Sequence, residues 1–375
     1  MTVVSLGVPR VGPPDAARRA GAGEDAPDLA SFASGPLADT HGRVARDLRV
    51  SLTDRCNLRC HYCMPPEGLP WLEKAETLDD AETIRLVTLA VRELGVDEVR
   101  FTGGEPLLRR GLEDVVAATA ALTTATGGRV RTSLTTNGIG LARRAAGLAA
   151  AGLGRINVSL DSLRPERFAA ITRRDRHADV LAGLRAAQEA GLTPVKVNTV
   201  LLRGVNDDEA ADLLGWALRE GYRLRFIEQM PLDPHGTWQR ADMITGADIH
   251  DRLVAGGYRL TPLPGRGSSP AEGFAVEGPA GPGGSTLRGE VGLIASVTAP
   301  FCGDCDRTRL TADGQVRTCL FSTTETDLRD ALRGGADDAE LAARWRRAMW
   351  GKLPGHDIDD PAFLHPTRPM SSIGG

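Results

Sequence analysis

The chain has 375 residues, of which 41% are hydrophobic and 25% charged, with a formal net charge of −4. That is enough apolar material for one large core and a smaller second unit. The near-neutral balance gives no electrostatic case for nucleic acid, so any anion site must come from locally clustered arginines. No apolar run approaches the ~18–20 residues that span a bilayer. The first residues lack the basic start and apolar stretch of a secretory signal. No membrane partner and a cytoplasmic location are therefore expected.

Residues 1–38 are rich in Ala, Gly, Pro and Asp, and predict a disordered extension. From Asp39 strand and helix signals alternate. Strands are expected at Leu48–Leu52, Val96–Phe101, Val130–Thr135, Ile156–Leu160, Val195–Val200 and Leu224–Ile227. Between two of them Ile84, Val87, Val91 and Leu94 fall on one helical face. Repeated strand–helix–strand units imply a parallel α/β sheet over 39–260, either an open partial barrel or a doubly wound sheet. The segment from Pro262 to Gly284 is dense in Gly, Pro and Ser and reads as a long loop. Beyond it a smaller C-terminal unit, 261–375, holds a strand at Val291–Val297, two helices and the uncharged tail Met370–Gly375.

The six cysteines form two triplets, Cys56, Cys60, Cys63 and Cys302, Cys305, Cys319. In a reducing compartment such clusters indicate soft-metal sites rather than disulfides. The first has C-x3-C-x2-C spacing and follows the first strand, at the end of a parallel sheet where active sites are built. Three thiolates can hold a [4Fe–4S] cube and leave one iron open to a small molecule. Structural zinc, the alternative, normally takes four ligands. His61 is poorly placed to be a fourth at the first triplet, whereas His356 or His365 could complete the second.

Cys56-Asn57-Leu58-Arg59-Cys60-His61-Tyr62-Cys63 resembles the radical S-adenosylmethionine signature, which has an aromatic residue before its third cysteine. Thr102-Gly103-Gly104-Glu105-Pro106 resembles the superfamily loop that holds the methionine amino group, with Glu105 free to accept from an ammonium. The resemblance extends to Tyr62, Gly104, Ser159 and Met230 as contacts for S-adenosylmethionine. It also implies a partial (β/α)6 TIM-type barrel with a smaller C-terminal cluster-binding domain.

Arg49-Val50-Ser51-Leu52-Thr53-Asp54-Arg55 before the first triplet, the C-x2-C-x13-C set, Arg307-Thr308-Arg309 and the Gly-Gly end occur together. In that combination the chain, from about residue 39, resembles the GTP 3′,8-cyclases of molybdenum-cofactor biosynthesis (the molybdenum cofactor biosynthesis protein A family). One departure is Asp306, where that family usually has Asn; it adds a negative charge beside the expected pocket. The resemblance implies two [4Fe–4S] clusters, S-adenosylmethionine as cofactor and GTP as substrate. A 5′-deoxyadenosyl radical would take hydrogen from the ribose 3′ carbon, and the sugar radical would attack guanine carbon 8. The product is (8S)-3′,8-cyclo-7,8-dihydroguanosine 5′-triphosphate. Arg49, Arg100, Thr135, Lys196, Arg307, Thr308 and Arg309 would bind GTP, and Arg49, Arg307, Arg309, Gly374 and Gly375 would serve catalysis. Expected partners are an electron donor such as flavodoxin or ferredoxin, cyclic pyranopterin monophosphate synthase by product transfer, and a second copy of the chain in a homodimer. The competing reading is another radical enzyme with an auxiliary cluster acting on a peptide. An electron-transfer protein with two clusters would want four cysteines at each.

Overall fold

The computed structural model describes residues 27–233, 236, 238–280, 286–356, 358, 363, 366 and 368–374. Six strands open the fold: β1 (Asp47–Ser51), β2 (Glu98–Thr102), β3 (Arg131–Thr136), β4 (Arg155–Ser159), β5 (Lys196–Val200) and β6 (Arg223–Ile227). Each lies within two residues of its expected position. Between them run α1 (Asp80–Arg92), α2 (Leu112–Ala120), α3 (Leu141–Ala150), α4 (Pro165–Thr172), α5 (His177–Glu189) and α6 (Ala210–Glu220), and α7 (Gly246–Ala255) follows β6. Helix α1 starts at a capping box: Asp79 accepts from the Glu82 amide and Glu82 accepts from the Asp79 amide. Its Leu86, Val87, Ala90 and Val91 are buried on the sheet.

The remaining strands are β7 (Arg259–Pro262), β8 (Glu272–Ala280), β9 (Thr286–Ile294), β10 (Arg307–Leu310), β11 (Gln315–Arg317) and β12 (Thr326–Asp327). All belong to one sheet, in the order β12-β11-β10-β1-β2-β3-β4-β5-β6-β9-β8-β7. Strand β10 pairs in parallel with β1, and β9 pairs in parallel with β6. The six-stranded core is thus extended by one parallel strand on each side, both from the C-terminal part. The end strands β12 and β7 do not pair, so the barrel stays open.

Two expectations need correction. The segment read as a loop over 262–284 contains β8, where Phe274 and Val276 are buried at strand alternation. Its glycines and Pro279 masked the pattern; the proline sits at the register shift between Glu277 and Ala280, one of the few places a strand tolerates it. The extension expected to be disordered is packed from Leu29 onward. Phe32 and Leu37 are buried, and Arg346 of α9 (Asp338–Trp350) donates to the carbonyls of Phe32, Ala33 and Gly35. Two apolar residues in a polar stretch suffice once a buried guanidinium satisfies the carbonyls around them. Residues 1–26 lie outside the described residues.

The strands have two unlike faces. In β1, Leu48 and Val50 point to the helices and are fully buried, while Arg49 between them points inward. In β2, Val99 and Phe101 flank Arg100 in the same way. The outer layer is therefore an apolar core, and on the inner face these two strands turn arginines into a cavity whose wall also holds apolar residues such as Phe168, Ile227 and Ile294. α8 (Arg329–Arg333) and α10 (Met370–Ile373) complete the fold.

Candidate active site

One cavity of about 310 Å³ occupies the open end of the barrel, and its wall carries all six cysteines. Arg49, Tyr62, Arg100, Gly104, Thr135, Ser159, Met230, Arg307 and Arg309 also line it. Arg49 of β1 and Arg309 of β10, paired in register, thus face a single space.

The first cysteine loop is held by backbone bonds. The amides of Cys63 and Met64 both donate to the Cys60 carbonyl, at 3.0 Å each. The Arg59 and His61 amides donate to Thr172 and Ile171 at the end of α4. Arg173 donates to the carbonyls of Arg59 and Met64. Leu58 and Asn137 donate to the Cys56 sulfur, and the Ser371 amide donates to that of Cys63. Gly104 is required by a close approach: a Cβ there would lie 2.3 Å from the Arg55 carbonyl oxygen. The glycine pair thus lets the loop after β2 press on the cysteine loop itself. Glu105 does not await an ammonium, as the sequence suggested. It is fully buried and accepts from Thr136 and from the amides of Leu107 and Asn137, which ties the loops after β2 and β3 together.

The second triplet spans a short turn at Cys302–Asp304 and the loop after β11. Both ring nitrogens of His356 are engaged, Nε2 with the Ser296 carbonyl at 2.8 Å and Nδ1 with the Ile358 amide at 3.3 Å. It is not a free fourth ligand; His365 lies outside the described residues. Among the described residues no three His, Cys, Asp or Glu side chains converge as they would around a single ion. Two sets of three thiols on one wall fit iron–sulfur clusters better than zinc.

Burial pushes the Cys56 and Cys60 thiols up, Cys63 to about 12 and Cys302 to about 11. Cys305 is lowered: burial opposes its thiolate, but the neighbouring Lys352 and Arg307 outweigh it. Tyr62 donates to Asp161 at 2.6 Å, and burial raises that carboxyl to about 6 against this bond and the Val200 amide.

Arg49, Arg100 and Arg307 surround Asp47 at 3.7, 3.9 and 3.7 Å. Arg100 also pairs with Glu98 at 3.1 Å, yet two carboxylates leave the Nε atoms of all three guanidiniums, with that of Arg225, buried and without a hydrogen-bond partner. Burial, then Arg100 and Arg155, lower Arg225 to about 9, and burial foremost lowers Arg309 to about 10. This is a pocket with unspent donors for a polyanion.

Not every expected contact is there. Thr308 is on the opposite face of β10, where it accepts from the Trp345 indole at 2.9 Å; strand alternation separates it from Arg307 and Arg309. Lys196 is not in the cavity wall, because it starts β5 two residues below Asn198, which is. Burial, then Arg225, Arg155 and Arg100, lower it to about 7. The Asp306 side chain is also outside the wall; its carbonyl accepts from the Arg46 and Asp47 amides. Gly375 lies outside the described residues, but the Gly374 carbonyl accepts from Arg309. Asn137, Asp161 and Asn198 line the wall and escaped the sequence reading, and Arg225 stands beside it, bonded to Asn157. Polar residues two positions from a recognised inward one would have marked Asp161 (from Ser159), and a strand arginine between Leu224 and Phe226 would have marked Arg225.

Residues 50–217 match the family model of the Radical SAM superfamily, and residues 222–358 match Molybdenum Cofactor Synthesis C. The GTP 3′,8-cyclase of Streptomyces coelicolor is 62% identical over 341 residues, covering 90% of this chain and 96% of that protein. That of Mycolicibacterium smegmatis is 58% identical over 377 residues and covers the whole of both. The crystal structure of Streptococcus suis SuiB bound to S-adenosylmethionine has a TM-score of 0.53 at 13% identity, covering 78% of this chain and 64% of that one; the likeness is one of fold. The radical SAM region implies a [4Fe–4S] cluster and S-adenosylmethionine. With that region, the C-terminal match and identities of 58–62% over nearly its whole length, the chain belongs to the GTP 3′,8-cyclases of the radical SAM superfamily.

Proposed function

We propose that the cavity cyclises GTP between two clusters, one held by Cys56, Cys60 and Cys63 and the other by Cys302, Cys305 and Cys319. The observation that carries this is the single space lined by both triplets and by Arg49, Arg100, Arg307 and Arg309. The first cluster, when bound, supplies the electron that cleaves S-adenosylmethionine. Tyr62, pinned by Asp161, with Gly104, Ser159 and Met230, forms the wall that seats this cofactor. The arginines take the triphosphate, and Thr135, fixed by Asn157 at 3.2 Å, offers a hydroxyl. Holding the ribose beside the cofactor is the protein's share of the chemistry. The electron consumed in each cleavage must come from outside, which calls for a one-electron carrier of the flavodoxin or ferredoxin kind. The cyclic product then passes to cyclic pyranopterin monophosphate synthase.

The test separates the triplets. Reconstituted anaerobically with iron and sulfide, then given S-adenosylmethionine, reductant and GTP, the enzyme should release 5′-deoxyadenosine and a product isobaric with GTP. Cys56→Ser should lose both. Cys305→Ser should keep deoxyadenosine formation and lose the GTP-derived product. Product formation by Cys305→Ser would refute the role of the second triplet, and deoxyadenosine without any GTP-derived product from the parent would refute the substrate.

Lys196 gives a pH-dependent signature. At pH 8 a lysine lowered to about 7 is mostly neutral, and a triphosphate arriving beside Arg225 and Arg100 favours its charged form. GTP binding should therefore take up a proton, seen as a binding enthalpy that varies with the ionisation enthalpy of the buffer. Lys196→Met should remove most of that dependence. The same residue acts on folding. Its folded value lies below the ordinary 10.5, so it costs stability progressively as pH falls from about 10.5 to about 7.

A further inference from the structure

Lys352, just past α9, is only 3% exposed. Its ammonium donates to the Arg307 carbonyl at 2.8 Å, to the Cys305 carbonyl at 3.1 Å and to the Cys305 sulfur at 3.4 Å. Among the described residues no carboxylate lies within ion-pairing distance of it. A buried charge without a counter-ion is costly, and two carbonyls supply only dipoles. The anion this ammonium meets is the thiolate that Cys305 becomes on binding iron.

The placement is fixed from a second direction. Arg43, ion-paired with Asp39, donates to the carbonyls of Leu353 at 2.6 Å, Pro354 at 3.0 Å and Cys302 at 2.7 Å. One guanidinium thus ties the backbone after Lys352 to the backbone of the neighbouring cysteine. The first triplet is built differently. Cys56 and Cys63 receive amide donors from Leu58, Asn137 and Ser371, all uncharged. The two sites therefore differ in the charge placed on a ligand sulfur.

We propose that Lys352 sets the reduction potential of the cluster on the second triplet, holding it higher than the thiolates alone would. The inference rests on the second-cluster reading above. A positive charge and an N–H···S bond both favour the more negative, reduced state, and so ease uptake of one electron. Lys352 touches a ligand and not the substrate, so it is a tuning residue.

The experiment uses full-length chains carrying Cys56→Ala, Cys60→Ala and Cys63→Ala, in which the second triplet alone can load. Iron and sulfide content is measured, and the midpoint potential is read by redox titration followed by electron paramagnetic resonance. In this background Lys352→Met should shift the midpoint to more negative values, Lys352→Gln should shift it the same way, and Lys352→Arg should leave it near the parent. Equal midpoints in the loaded parent, Met and Gln chains would overturn the assignment. Should Lys352→Met not take up iron, Lys352→Gln, which retains a donor without the charge, decides alone. If the parent background itself binds no four-iron cluster, the second-cluster reading fails, and iron content distinguishes that failure from an untuned cluster.

Discussion

Arg309→Ala is expected to lower kcat/KM for GTP by about 10- to 100-fold while 5′-deoxyadenosine is still released on incubation with reductant. The guanidinium is buried in the cavity wall on β10, beside Arg49 of β1 in register. It meets the substrate side and the tail together, because it donates to the Gly374 carbonyl. Removing one charged hydrogen bond from a buried site costs about 1.5–3 kcal/mol, which is the stated range in rate. Arg309→Lys should recover only part, since an ammonium keeps the charge and loses the planar fork. The cysteine loop and the wall formed by Tyr62, Ser159 and Met230 are on other strands, which is why cofactor cleavage should persist. An unchanged kcat/KM would remove Arg309 from the GTP site.

Gly374→Ala should have an effect of similar size by a different route. The residue has φ +71°, where a side chain costs about 1–2 kcal/mol. A Cβ would also lie 2.4 Å from Ser51 Oγ and 2.6 Å from Thr102 Cγ2. Both neighbours sit on the adjacent strands β1 and β2, which frame that position. The tail must then withdraw, taking its carbonyl from Arg309 and the Ser371 amide from the Cys63 sulfur. Displacement of about 1 Å in a positioning group can cost ~10²-fold in turnover. Stability should fall modestly, since withdrawing the single-turn α10 also exposes Ile373 from its cluster with Leu232, Leu320 and Phe321. The check is kcat alongside the thermal midpoint. Loss of turnover in proportion to loss of folded enzyme at the assay temperature would point to folding, and intact turnover would refute a catalytic tail. Combined with Arg309→Ala, the glycine change should add little, because both break one contact.

The cysteine spacings made both candidate cluster sites legible in the sequence, and alternating strand and helix signals announced the sheet. The inward face was harder to read, and the reason is physical. In β1 the apolar residues pack on the helices, so periodicity finds Leu48 and Val50 and says nothing of what Arg49 faces. Recognised motifs filled some of these positions, and Arg225 and Asp161, outside any motif, were missed. Thr308 was misplaced by reading a tripeptide as a unit where alternation splits it. Lys196 was assigned to the wall because sequence gives a residue's face but not its height along the barrel. The β8 hairpin was hidden by glycines and a proline at a bulge.

The parallel pairing of β10 with β1 has a consequence for biosynthesis. The outer edge of β1 acquires its neighbour only after residue 310 has been made, in a register that joins Asp47 to Arg307. At the usual ~5–20 residues per second, that edge waits on the order of ten seconds or more after β1 itself is complete. During this interval the nascent barrel presents an unpaired strand, a surface prone to pairing with other chains. Arg307, Arg309, the second triplet and the tail are all made after the six strands β1–β6. The cavity wall is thus complete only once strands made more than two hundred residues apart have met.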